Sequence, residues 1–195
     1  MKVKICGIKL AEDAQMCESL GADALGFVHF PGRGRSIPLE SIAAITSTLG
    51  PSVMKILVCA PKSSSEAIQM VHKANADTVQ LYSLIPKDLN EIREQGIGVI
   101  RRVPPNRDEA LKFVGAADAL LFEEEAPGTG HSYDYSRIPI DCCPRAIIAG
   151  GLTLSNLHLA KAMKPYGLDV SSGVERTLGR KDRNLVSEFI RRCKE

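Results

Sequence analysis

Hydrophobic and polar positions along this chain follow two alternating rhythms. Short apolar, β-branched runs bounded by turn residues recur at 2–6, 24–29, 53–59, 77–81, 97–102, 118–122, 145–149 and 167–171. Such runs predict buried strands. Between them, residues 10–20, 39–48, 64–74, 87–95, 107–113, 154–163 and 182–193 carry apolar positions at helical spacing. The segment 131–140 breaks the rhythm and offers at most a short helix near Asp134. Strands alternating with helices predict an α/β fold with a parallel sheet, because parallel strands need a long crossover. Eight such units predict closure into a (β/α)8 barrel rather than an open doubly wound sheet. The 195-residue chain is short for such a barrel, so its loops must be lean and its sixth helix weak. It is read as one domain over 1–195.

A quasi-repeat supports the count. Gly21-Ala22-Asp23-Ala24, Ala76-Asp77, Ala117-Asp118-Ala119 and Gly167-Leu168-Asp169 place a small residue and then an aspartate before or within every second strand. Glycine ends the preceding helix and aspartate binds backbone amides at the strand entrance. Asp23, Asp77 and Asp118 are therefore read as structural. Ser63-Ser64-Ser65 is a loop that supplies a helix cap.

Composition changes this picture little. Hydrophobic residues make up 44% and charged residues 25%, and the formal net charge is +2. That balance gives no reason to expect a nucleic-acid partner or a membrane surface. With no basic tract, long apolar run or signal pattern, a cytoplasmic protein is expected. Cys6, Cys17, Cys59, Cys142, Cys143 and Cys193 are even in number, but the chain is not small and no C-x-x-C pair is present. Reduced thiols are expected, most of them packed as small hydrophobes, and no metal site is expected.

Chemistry in a β/α barrel collects at the C-terminal ends of the strands. Cys6 ends the first strand, where neighbouring cations or helix N-termini can make a thiol a base or nucleophile. Lys4 shares its face by strand alternation. A lysine inside the barrel needs a partner, and Asp169 on the adjacent eighth strand is the candidate. Arg35, in Pro31-Gly32-Arg33-Gly34-Arg35-Ser36, has the forked geometry that suits a carboxylate or phosphate. Spacing alone leaves Arg35 open between that role and a solvated surface. Arg33 reads as a surface residue. Glu123 follows the sixth strand, where partial burial would raise its pKa and suit it as a general acid. Glu124 and Glu125 adjoin it. Ala149-Gly150-Gly151 and Ser171-Ser172-Gly173 end strands seven and eight, the usual place for a phosphate site in such barrels. His72 and His158 fall in helices, His131 in a loop, and His29 is read as packed.

These motifs resemble those of the phosphoribosylanthranilate isomerase family. The likeness lies in Lys2-Val3-Lys4-Ile5-Cys6-Gly7-Ile8, Gly21-Ala22-Asp23-Ala24-Leu25-Gly26-Phe27-Val28, Arg35-Ser36-Ile37 and Val79-Gln80-Leu81. It continues in Ala149-Gly150-Gly151-Leu152 followed by Asn156, and in Asp169-Val170-Ser171-Ser172-Gly173-Val174-Glu175. The resemblance implies a barrel of the ribulose-phosphate-binding type and an isomerase of tryptophan biosynthesis. Its small, phosphorylated substrate would be N-(5-phosphoribosyl)anthranilate. An Amadori rearrangement with no metal or organic cofactor would give 1-(2-carboxyphenylamino)-1-deoxyribulose 5-phosphate. The same resemblance makes Cys6 the base and Arg35 the contact to the anthranilate. It adds Gln80 and Asp169 as substrate contacts and Gly150, Gly151, Ser172 and Gly173 as the phosphate grip. Members of the family are monomers or homodimers, and the sequence leaves both open.

The chain departs from the family twice. An aspartate usually follows the sixth strand as general acid. Aligning on the strand puts Glu123 there, and aligning on Gly128-Thr129-Gly130 puts Glu124 there. The extra methylene shifts the proton donor by about 1.5 Å, and a misplacement of about 1 Å costs on the order of a hundredfold in rate. The second departure is Tyr82, where the family commonly has histidine. Two other readings stand beside the isomerase: a related aminoaldose isomerase of histidine synthesis, and a catalytically impaired barrel kept as a binding or scaffold protein.

Overall fold

The computed structural model describes residues 1–124 and 132–195. Eight strands close a parallel barrel in chain order: β1 Lys2–Cys6, β2 Ala24–His29, β3 Met54–Cys59, β4 Thr78–Leu81, β5 Gly98–Val103, β6 Ala119–Phe122, β7 Ala146–Ile148 and β8 Gly167–Val170. Closure is seen at β1, which pairs with both β2 and β8 and sets Lys4 beside Ala24 on one side and Asp169 on the other. Among the described residues seven α-helices run between or after them: α1 Ala11–Ser19, α2 Leu39–Thr46, α3 Ser64–Ala74, α4 Pro86–Glu94, α5 Arg107–Leu111, α6 Leu157–Ala162 and α7 Arg183–Lys194. No described helix is long and apolar enough to cross a membrane.

Alternation along each strand divides the core in two. Val3, Ile5, Leu25, Phe27, Leu57, Val79, Val99, Leu120, Phe122, Ile148 and Leu168 face the helices. Cys6, Ala24, Ile56, Val58, Ile100, Ala119, Leu121, Ile147 and Ala149 fill the interior. The interior is therefore a packed plug. The larger cavity among the described residues forms above it, at the C-terminal ends of the strands, and a smaller one lies at the N-terminal ends.

Local chemistry explains the expected elements. The Ser63 hydroxyl accepts from the Glu66 amide and caps α3, as the serine run predicts. Asp23, Asp77 and Asp118 accept from the amides of Val3, Lys55 and Val99 at 2.9, 2.9 and 2.8 Å. Each aspartate thus ties the start of its own strand to the preceding one, a structural role. Asp169 breaks the series, lying within its strand rather than just before it and turned inward. All six cysteines are free thiols.

Three local predictions need adjustment. Helix α6 starts at Leu157 rather than 154. The Asn156 carboxamide explains the delay, accepting from the Thr153 amide and donating to the Gly151 carbonyl, each at 2.8 Å. Those bonds favour a turn over a helix. After β6, the expected weak helix is two 3-10 turns, Tyr135–Arg137 and Ile140–Cys142, the first capped by Asp134. Glu125, Gly128-Thr129-Gly130 and His131 lie outside the described residues. The third adjustment is a hairpin absent from the predicted elements, β9 Glu175–Thr177 with β10 Arg180–Lys181.

Candidate active site

A cavity of about 920 Å³ opens at the C-terminal ends of the strands, a size suited to a small ligand. Cys6, Arg35, Tyr82, Glu123, Gly150, Gly151, Asp169 and Ser172 are on its wall. Of these, Cys6 and Ser172 are 166 positions apart and meet because every strand delivers its C-terminal end to one rim.

Cys6 is buried at the tip of β1 with its thiol inside the barrel. Its Sγ and the Lys4 Nζ lie together over Gly26, at 2.8 and 2.9 Å from where a β-carbon would stand. Lys4 Nζ donates to Asp169 Oδ1 at 3.0 Å, and both side chains are buried. This is the pair anticipated from strand alternation. Burial pulls the Lys4 pKa down, but the Asp169 carboxylate and Cys6 outweigh it and hold the ammonium up at about 12. Burial pushes the Cys6 thiol up, and the Lys4 ammonium beside it is the main opposing influence. A cation fixed next to the sulfur is a device for stabilising a thiolate in a low-dielectric setting.

Glu123 follows β6, its amide donating to the Val103 carbonyl at 3.1 Å. Its carboxyl accepts the Tyr82 hydroxyl at 2.8 Å. Burial raises its pKa, while the Tyr82 hydrogen bond works in the other direction. Glu124 is exposed and pairs with Arg137 at 3.4 Å. Both border the cavity, and of the two only Glu123 is partly buried. The Tyr133 ring presses on Gly150 beside the Glu123 stem, and the Tyr135 hydroxyl donates to the Gly150 carbonyl at 2.7 Å.

Arg35 reaches the rim but is not free. Its Nε and Nη2 donate to the two carboxylate oxygens of Glu175 at 2.9 and 2.8 Å. Glu175 also accepts from the buried Lys181 ammonium at 2.9 Å, and that ammonium donates to the Ser171 carbonyl at 3.2 Å. Burial raises the Glu175 pKa, but the bonds from Arg35 and Lys181 prevail and hold it below the usual range. The missed hairpin thus supplies both groups that orient Arg35. The only sequence signal was Glu175 at the end of the Ser-Ser-Gly motif and a Leu178-Gly179 turn. Arg33, read as a surface residue, is exposed and also borders the cavity.

The glycine turns split into two functions. Gly150 and Gly151 have φ of +93° and +63° and stand on the cavity wall. That left-handed backbone favours glycine. Ser172 shares the wall, while Gly173 is not on it. A β-carbon on Gly173 would stand 1.9 Å from the Leu152 carbonyl oxygen. Its role is to let the turns after β7 and β8 touch. Gly173→Ala is expected to push them apart, lowering stability by about 1–3 kcal/mol and raising KM for a phosphorylated substrate more than it changes kcat. Thermal unfolding and steady-state kinetics check both effects.

Gln80 is buried in β4 and lies beneath the wall rather than on it. Its Nε2 reaches the Tyr82 oxygen at 3.5 Å, and its Oε1 has no partner among the described residues. His29 bonds the Ile37 carbonyl at 3.0 Å, a packing role. Wall residues that sequence reasoning did not place at the site include Phe30, Pro104, Asn106, Tyr133, Arg137 and Leu178.

The fold and the site together define an acid–base β/α-barrel enzyme. The family model for N-(5'-phosphoribosyl)anthranilate (PRA) isomerase matches residues 3–192. A curated relative from Methanocella arvoryzae, called N-(5'-phosphoribosyl)anthranilate isomerase, is 34% identical over 97% of this chain and 96% of its own. The solved phosphoribosyl anthranilate isomerase of Thermus thermophilus is 35% identical, with a TM-score of 0.90 over 100% of this chain and 99% of that one. Another such isomerase, solved with reduced 1-(o-carboxyphenylamino)-1-deoxyribulose 5-phosphate, is 30% identical at a TM-score of 0.88, covering 100% of this chain and 98% of that one. The chain belongs to the N-(5'-phosphoribosyl)anthranilate isomerase family.

Proposed function

We propose that this chain, acting as one barrel domain over 1–195, isomerises N-(5-phosphoribosyl)anthranilate in tryptophan biosynthesis with Cys6 as base and Glu123 as acid. The observation that carries this reading is that a thiol from β1 and a raised-pKa carboxyl after β6 open onto one cavity bordered by glycine turns. The likeness to the analogue-bound isomerase, which extends over the whole chain, favours it over an aminoaldose isomerase of histidine synthesis.

The steps follow from the proton inventory. The Glu123 carboxylic acid gives its proton to the ribose ring oxygen. The C1–O bond breaks, and the anilino nitrogen lone pair forms a protonated Schiff base at C1. The Cys6 thiolate takes the proton from C2, and the C–H electron pair becomes the C1–C2 double bond of an enolamine. Protonation at C1 and loss of the C2 hydroxyl proton give the aminoketone. Lys4 stabilises the thiolate, and Asp169 holds Lys4.

Binding assignments follow the same logic. Glu175 engages Nε and Nη2 of Arg35, so Nη1 is the edge left for the anthranilate carboxylate. Gly150, Gly151 and Ser172 offer the phosphate grip, and Gly173 sets the spacing of the two turns. Gln80 acts by carrying Tyr82 rather than by touching substrate.

The test is direct. Purified protein should consume N-(5-phosphoribosyl)anthranilate, and the gene should restore growth without tryptophan to a strain lacking this isomerase. Absence of both in folded protein would leave the impaired-barrel reading standing.

A further inference from the structure

Tyr82 directly follows β4 and lines the cavity beside Glu123. Its hydroxyl donates to Glu123 Oε2 at 2.8 Å. Its ring meets Phe30 edge-on, with centroids 5.4 Å apart and planes at 88°. It also packs on the interior plug. Gln80 approaches the phenol oxygen from below. The phenol is thus fixed on three sides and points at one oxygen of the acid.

We propose that Tyr82 is a positioning residue that selects which oxygen of Glu123 delivers the proton. The proposal rests on the reading of Glu123 as general acid. In a carboxylic acid only one oxygen carries the proton, and the oxygen that accepts a hydrogen bond from a neutral phenol is the carbonyl one. Oε2 is held by Tyr82, so the transferable proton resides on Oε1. When that proton leaves, the Tyr82 bond becomes charge-assisted and stronger. Tyr82 therefore favours the product of the transfer. It also restrains the extra rotatable bond that glutamate has over aspartate, a freedom that otherwise costs entropy to fix. Acid and tether are matched: the longer side chain reaches further, and the phenol holds its end.

Other titratable groups surround this carboxyl. Lys4 and Cys6 face the cavity region from β1, Arg102 from β5, Asp169 from β8 and Tyr133 from the segment after β6. Tyr82 is the one bonded to Glu123 among the described residues. Burial holds the phenol well above its ordinary pKa, so it remains a neutral donor throughout the working range.

Tyr82→Phe keeps the ring and its contact with Phe30 and removes only the hydroxyl. It is expected to lower kcat about 10- to 100-fold, the worth of a hydrogen bond to a charged group, with KM within about threefold. The pH profile adds a readout that packing alone would not move. Its limbs fall at the two pKa values whichever protonation form is productive, and the carboxyl owns the lower one. Loss of the donor to the carboxylate raises the Glu123 pKa, so the lower limb should move up while the Cys6 limb stays. Limb positions do not depend on how much of the variant is folded. Wild-type kcat, or a fall with both limbs unmoved, would overturn the proposal. In a Glu123→Gln background, Tyr82→Phe should have no further effect on kcat, because no proton remains to place. Full turnover in Glu123→Gln alone would instead remove the general-acid reading itself.

Discussion

Cys6→Ala is expected to lower kcat by about 10²- to 10⁴-fold, the usual contribution of a general base, with KM close to that of the parent. The substitution removes one buried sulfur from the tip of β1 and leaves the Lys4–Asp169 pair intact. Its cost to stability is about 1 kcal/mol, typical of a small core truncation. Loss of activity by unfolding would show in a thermal melt, so the two causes are separable. Cys6→Ser sharpens the point. It keeps the shape and a hydrogen-bonding group but supplies a far weaker acid, so almost no oxyanion forms beside Lys4. It should therefore be nearly as impaired as the alanine variant. A serine variant with parental turnover would show that the thiolate does no proton transfer.

Glu123→Gln is the second large effect, expected at about 10²- to 10⁴-fold in kcat with little change in KM. Glutamine keeps the length of the side chain, and its carbonyl oxygen still accepts the Tyr82 hydroxyl. What disappears is the acidic proton. Burial raises the carboxyl above the ordinary value for glutamate, which retains the protonated form at higher pH than an exposed side chain would. Glu124→Gln is the control. Glu124 also borders the cavity, but it is exposed and paired with Arg137, so its replacement should lower kcat far less than that of Glu123. Stopped turnover in both variants would point to the whole loop rather than to one acid.

The barrel was legible because its determinants are local. Val3, Ile5, Leu57, Val79 and Leu168 sit in short apolar runs, and those runs survive as strands with ends moved by a residue or so. Cys6 and the Lys4–Asp169 pair were legible for a related reason. Strand alternation tells which residues share a face, and barrel closure tells which strands adjoin. Where the prediction slipped, polar side chains bonding to nearby backbone had taken over. Asn156 shortens α6 in that way. Asp134 caps a 3-10 turn where at most a short helix was expected.

The choice between Glu123 and Glu124 shows the boundary most clearly. Adjacent glutamates are equivalent as letters, and only the direction of each side chain at the end of β6 makes one buried and the other solvated. The clamp on Arg35 is similar. It joins a loop after β2 to Glu175 and Lys181, about 140 residues away, and a pairing over that span leaves no local pattern. The sequence by itself determined the closed barrel, the family and the thiol at the first strand's tip, since periodicity and short motifs encode backbone geometry. The tertiary structure alone decided which carboxyl turns inward, that Tyr82 bonds it, and that Gly173 spaces two turns rather than lining the cavity. Those outcomes depend on side-chain direction and on contacts between distant segments, which form only when the barrel closes.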